Sequence, residues 1–124
     1  MDVSFSGVSS ADASLLAQEL ELSLIRAGAP RQAISLRQSS SENMSGLGTI
    51  LGVDVDLALH AIGAMGYLAC FAHCIFEIAS KHRVEIVINT EDGTIKIPAA
   101  QVTTKMIAQA IAPKNIETNT EQKS

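Results

Sequence analysis

The chain has 124 residues, a formal charge of −4, 47% hydrophobic residues and 18% charged ones. That length sets one domain, and that apolar content closes a core without staples and excludes a disordered polymer. Aromatics make up 3%, Trp is absent, and the Lys and Arg residues are scattered. This composition lacks both a phosphate-backbone footprint and base-stacking platforms, so no nucleic-acid partner is expected.

The opening "MDVSFSG" alternates, with Val3 and Phe5 on one face and Ser4 and Ser6 on the other, which predicts a half-buried strand. It also lacks the basic start of a secretory leader, so a cytoplasmic protein is expected. Ser9 stands three residues before Asp12 and caps a helix running to about Ala27, with Leu16, Leu20 and Leu24 along one face beside Leu15 and Ala13. Gly28 and Pro30 stop it. "QAISLRQ" predicts a second short strand, completing a strand–helix–strand unit of the kind that forms a right-handed parallel crossover. The serine run "SSSEN" predicts a solvated loop. Gly46, Gly48 and Gly52 weaken regular structure in the next stretch, for which the expectation is a loose turn or short helix around Leu47 to Leu51. A long helix then starts near Asp54 and ends near His82, where Lys81, His82 and Arg83 suit the negative end of its dipole.

"RVEIVINTEDGTIKIP" predicts a hairpin turning at Asp92-Gly93. A type I′ turn there sets Ile88 opposite Ile97 and Thr90 opposite Ile95. Val84, Ile86, Ile88, Ile95 and Ile97 then share one face, with Glu85, Asn89, Glu91, Thr94 and Lys96 on the other. "TTKMIAQAIAP" predicts a last helix with Met106, Ile107, Ala110 and Ile111 on its apolar side. Residues 113–124 are polar and predict a disordered tail after a single domain over 1–112. The expected fold is α+β: a two-layer sandwich of order β-α-β-α-β-β-α, with a four-stranded mixed sheet and helices on one face.

The long helix admits three readings. Residues 57–78 are long enough to span a bilayer. However, His60, His73 and Glu77 oppose insertion, a central carboxylate alone costing about 2.5–3.5 kcal/mol. A stripe of Asp56, His60, Tyr67, Cys70, Cys74, Glu77 and Lys81, with His73 at its margin, also suits an aqueous face. No membrane span is therefore expected. Cys70, His73, Cys74 and Glu77 are suitable metal ligands on neighbouring turns, but one helix cannot surround a tetrahedral ion and the rest of the chain offers no Cys. The two cysteines read more simply as buried free thiols in a reducing compartment. The third reading, a core helix, is adopted. Its small residues Ala58, Ala61, Gly63, Ala64, Gly66, Ala69 and Ala72 permit close approach of another helix, within this chain or from another.

No catalytic constellation assembles. Gly46-x-Gly48 lacks the remainder of a phosphate loop, Ser45 has no hydrolase-elbow context, and capping explains Asp54 and Asp56. Neither an enzyme nor a cofactor is expected. The wet face of the hairpin offers Glu85, Asn89, Glu91 and Lys96 for partner recognition, with Tyr67 as the candidate on the long helix. The alternative is a small ligand- or metal-binding sensor using Cys70, His73, Cys74 and Glu77.

Residues 42–111 resemble a known family. Met44 and Gly46 precede a Gly/Ala-rich apolar helix from Gly63 to Ile78. A basic end at Lys81 to Arg83 and a hairpin with Asp92-Gly93, Ile95 and Ile97 follow. This arrangement is similar to the effector-associated constant component domain of bacterial conflict systems, although this chain lacks the Trp common near the end of that family's long helix. The resemblance implies a non-enzymatic adaptor working beside a caspase-like or trypsin-like effector, with homo-oligomerisation expected from the wide apolar arc of the long helix.

Overall fold

The computed structural model describes residues 1–38 and 49–113. The expectations for the serine run, for Met44 and Gly46, and for the tail beyond 113 lie outside the described residues. The elements are β1 (Asp2–Ser6), α1 (Ser10–Arg26), β2 (Ile34–Gln38), β3 (Thr49–Val53), α2 (Val55–His82), β4 (Glu85–Thr90), β5 (Gly93–Ile97) and α3 (Thr104–Ile111). Single 3-10 turns lie at Arg31–Ala33 and Ala99–Gln101.

The α+β class holds, but the sheet is five-stranded and antiparallel, in the order β2-β3-β1-β4-β5, rather than four-stranded and mixed. The difference is β3, where a loose turn or short helix was expected. Thr49, Leu51 and Val53 alternate onto the core face and are buried. β3 inserts between β1 and β2, so those two strands run parallel without touching, and the expected crossover skips one strand. Likewise α2 connects β3 to β4 across β1, which therefore lies at the centre of the sheet.

Gly52 explains how a glycine-containing segment serves as an inner strand. A Cβ at that position would meet Arg37 Nη1 at 3.0 Å and Ser35 Oγ at 3.1 Å. The missing side chain lets Arg37 on β2 reach over β3 to Asp2 on β1 in a bidentate pair at 2.9 and 2.7 Å.

The hairpin forms in a register two residues from the expected one, with Ile86 opposite Ile97 and Ile88 opposite Ile95. Among the described residues, Arg83 is the only non-glycine with positive φ, so Asp92 does not adopt the conformation that a type I′ turn requires. The chain turns at Glu91 and Asp92, and Gly93 takes the positive φ of 132°. Thr90 Oγ1 accepts from Asp92 N at 3.2 Å and donates to Gly93 O at 3.3 Å. An even-numbered shift preserves the faces, so Val84, Ile86, Ile88 and Ile97 remain buried. Ile95, on the edge strand, is exposed, and Glu91 lies in the turn rather than on the sheet.

All three helices contribute to one core on the inner face of the sheet. Leu16, Leu20 and Leu24 of α1 are buried as expected, and Ser9 Oγ accepts from Asp12 N at 3.1 Å. Asp54 caps α2 through Leu57 N at 3.1 Å, and Thr103 caps α3 through Met106 N at 3.0 Å. The long helix is not continuous. Gly63, at φ 77° and ψ 169°, breaks it into 55–62 and 64–82, and it ends with Arg83 in the left-handed conformation. Among the described residues, α2 alone has the length and apolar content of a membrane-crossing helix. Here it buries Tyr67, Phe71, Ala72, Cys74, Ile75, Ile78 and Ala79 in the core.

Tyr67 is fully buried. Its O–H donates to the Ile111 carbonyl at 2.8 Å, supplying a partner to the open end of α3, and its ring packs on Phe71 at 5.0 Å between centroids. Tyr67→Phe leaves that carbonyl without its partner. Chemical denaturation is expected to show a loss of about 1–2 kcal/mol. An unchanged midpoint and slope would contradict this role.

Candidate functional site

The structure separates the Cys/His face that the sequence groups together. Cys74 is buried and Cys70 half-buried against α1, whereas His73 and Glu77 point to solvent and pair with each other, Nε2 to Oε2, at 3.3 Å. Among the described residues, no three His, Cys, Asp or Glu side chains converge as metal ligands. The expected polar stripe on α2 holds for Asp56, His60, His73, Glu77 and Lys81, which are exposed, and fails for Tyr67 and Cys74, which are buried, with Cys70 half-buried. The break at Gly63 resets the helical phase, and the core selects Tyr67, Phe71, Cys74, Ile75 and Ile78. Burial, with the neighbouring Cys74 second, pushes the Cys70 thiol up to about 11. At neutral pH it is protonated and a poor nucleophile. Burial likewise raises the Tyr67 phenol, which stays a donor.

Tyr67 therefore cannot be a partner-binding residue, because its entire side chain is in the core. The other four candidates lie at the β4–β5 end of the molecule. Glu85 is half-buried and accepts from Ser6 Oγ. Asn89 is exposed and bonded to Thr94 Oγ1, Glu91 is at the turn, and Lys96 projects opposite Val87. These residues share one region but do not converge on a point.

A different surface collects apolar atoms. An open groove of about 720 Å³ runs between α1 and the second half of α2. Leu15, Leu22 and Phe76 supply apolar lining, and Glu19, Arg26 and Lys81 line it with charge. Leu15 is 62% and Leu22 52% exposed, values far from those of Leu16, Leu20 and Leu24 on the same helix. Sequence reading placed Leu15 beside the buried leucines and passed over Leu22. The missed signal is that five leucines on one 17-residue helix exceed what a single core-facing stripe requires.

Glu19 is tied within the chain. Lys81 Nζ reaches Glu19 Oε2 at 3.2 Å, and His82 Nε2 lies 3.0 Å from Glu19 Oε1. Burial acts to raise the Glu19 carboxyl, but the hydrogen bonds from Lys81 and His82 outweigh it, leaving the group below its ordinary value. On the opposite, wet side of the sheet, the hydrogen bond from Arg37 lowers the Asp2 carboxyl more than burial raises it.

No protein-family model matches the chain, and no curated protein or solved structure is significantly similar to it.

The Asp2–Arg37 pair gives a pH signature. A carboxyl lowered in the folded state contributes stability above its unfolded value and loses it as pH falls through the folded value. Wild type should exceed Asp2→Asn by about 0.5–1 kcal/mol near neutrality, the scale of a partly exposed pair. The gap should close as pH falls below the ordinary carboxylate value of about 3.9. Paired thermal melts across that value check it, and a gap that widens on acidification would contradict the sign.

Proposed function

We propose that this protein is a non-enzymatic interaction module, acting through protein–protein contact as an accessory component of a bacterial effector system. The observation that carries this reading is the groove between α1 and α2. Its lining sets the apolar Leu15, Leu22 and Phe76 beside the charged Glu19, Arg26 and Lys81, and both leucines are more than half exposed. Clustered exposed apolar side chains among charged ones mark protein contact surfaces. The thiol chemistry agrees, since Cys70 is held protonated by burial rather than activated. The resemblance of residues 42–111 to effector-associated constant component domains supplies the candidate partner class, a caspase-like or trypsin-like effector. In this reading the protein is cytoplasmic, α2 is a core helix rather than a membrane span, and the polar sheet face with Glu85, Asn89 and Lys96 tunes specificity. The metal-sensor alternative gains no support, because Cys74 faces the core while His73 and Glu77 face water.

Leu22→Glu tests the reading. It places a carboxylate in the groove lining while sparing the core, because Leu22 is already half in solvent. Self-association, or capture of an effector protein from the native host, should fall by about tenfold or more, the scale of truncating one contact anchor. Circular dichroism should show the fold unchanged. Association unaffected by Leu22→Glu would contradict the proposal, as would turnover of a small molecule by the purified protein.

A further inference from the structure

We infer that the outward face of α1 is the contact surface for a second copy of this chain, joined antiparallel about a two-fold axis between Gln18 and Glu19. The inference rests on the protein-contact reading above and identifies the occupant of the groove.

The exposed side chains of α1 form one stripe. Ala11, Leu15, Gln18, Leu22 and Arg26 are all exposed and follow one another at steps of three or four. This is the spacing of a helix–helix seam, with Leu15 and Leu22 one heptad apart on either side of a polar residue. The stripe is also self-complementary. In an antiparallel pair about Gln18–Glu19, Leu15 of each copy meets Leu22 of the other, as an isologous two-fold contact requires. Phe76 of α2 lies in the same groove and widens the apolar contact.

Charge selects the orientation. Asp12 lies in the first turn of α1 and Arg26 in its last. Antiparallel pairing brings Asp12 of each copy beside Arg26 of the other, twice across the axis, and opposes the two helix dipoles. Parallel pairing would set Asp12 against Asp12 and Arg26 against Arg26. The acid nearest the axis, Glu19, already has Lys81 at 3.2 Å and His82 at 3.0 Å in its own chain. Two copies of Glu19 therefore approach the axis with their counter-charges in place. Gln18, next to the axis, can hydrogen-bond its counterpart, and a polar seam residue of this kind fixes register.

The experiment is a charge-reversal cycle read by sedimentation velocity on the full chain, with circular dichroism confirming the fold of each variant. Asp12→Arg and Arg26→Asp should each weaken dimerisation by about tenfold, since each turns two attractions into repulsions. The double variant should return close to wild type, which a merely destabilised helix would not do. Gln18→Cys should form a disulfide-linked dimer on mild oxidation, and Gln109→Cys on the exposed side of α3 should not. A strict monomer, single reversals without effect, a double variant that does not recover, or equal cross-linking at both positions would overturn the inference. If a monomer binds a heterologous effector and loses it on Leu22→Glu, the second copy is wrong and the protein-contact reading stands. If a monomer loses nothing on Leu22→Glu, both fail.

Discussion

The Tyr67 hydroxyl sits between α2 and α3 and donates to the Ile111 carbonyl at 2.8 Å, with the Met1 sulfur 3.6 Å away. A phenol enclosed by apolar side chains requires a hydrogen-bond partner, and the open end of α3 provides one. That contact is made in the rotation of α2 that buries its apolar face, and it adds to the burial. With Tyr67 inward, Phe71, Cys74, Ile75 and Ile78 follow at helical spacing, and His73 and Glu77 must turn outward. The break at Gly63 makes this phase possible, because it uncouples the second part of α2 from the segment that Asp54 caps. The same rotation decides where the Cys and His side chains of α2 lie. The four side chains that together would resemble a metal site are divided between core and solvent.

The two sides of the molecule then differ in kind. The outer face of the sheet is mostly polar and carries several internal pairs. Arg37 crosses Gly52 to reach Asp2, Ser6 bonds Glu85, and Asn89 bonds Thr94. The helix layer covers the core but leaves the groove between α1 and α2 open and the outer leucines of α1 in water. A buried leucine contributes about 1.5–3 kcal/mol relative to an exposed one. Two such residues on one stripe, with Phe76 beside them, represent contact energy that folding of a single copy does not use. A second copy placed on this stripe would recover it.

Local chemistry was legible in the sequence wherever one residue determines one geometry. Ser9, Gly28, Asp54 and the Asp92-Gly93 pair all marked real boundaries. The alternation of Val3 with Phe5, and of Ile86 with Ile88, identified the core face. What the sequence did not carry was long-range. β3 hid behind three glycines, because the reason for Gly52 is an ion pair between two other strands. The hairpin register slipped by two because only Gly93, not Asp92, adopts positive φ. Tyr67 reads as a wet residue by its hydroxyl, yet its partner is a backbone carbonyl 44 positions away, which no sequence pattern announces. The leucines on the outer side of α1 were visible, but their exposure depends on where α2 lies.

The central claim is that apolar surface left by the helix layer is covered by another copy of the same chain. The most direct test is the mass of the unmodified protein in solution, measured by light scattering during size-exclusion chromatography over a wide concentration range. The account predicts a rise with concentration towards twice the 13.1 kDa of a single chain. A mass that stays at 13.1 kDa at the highest concentration reached would contradict it.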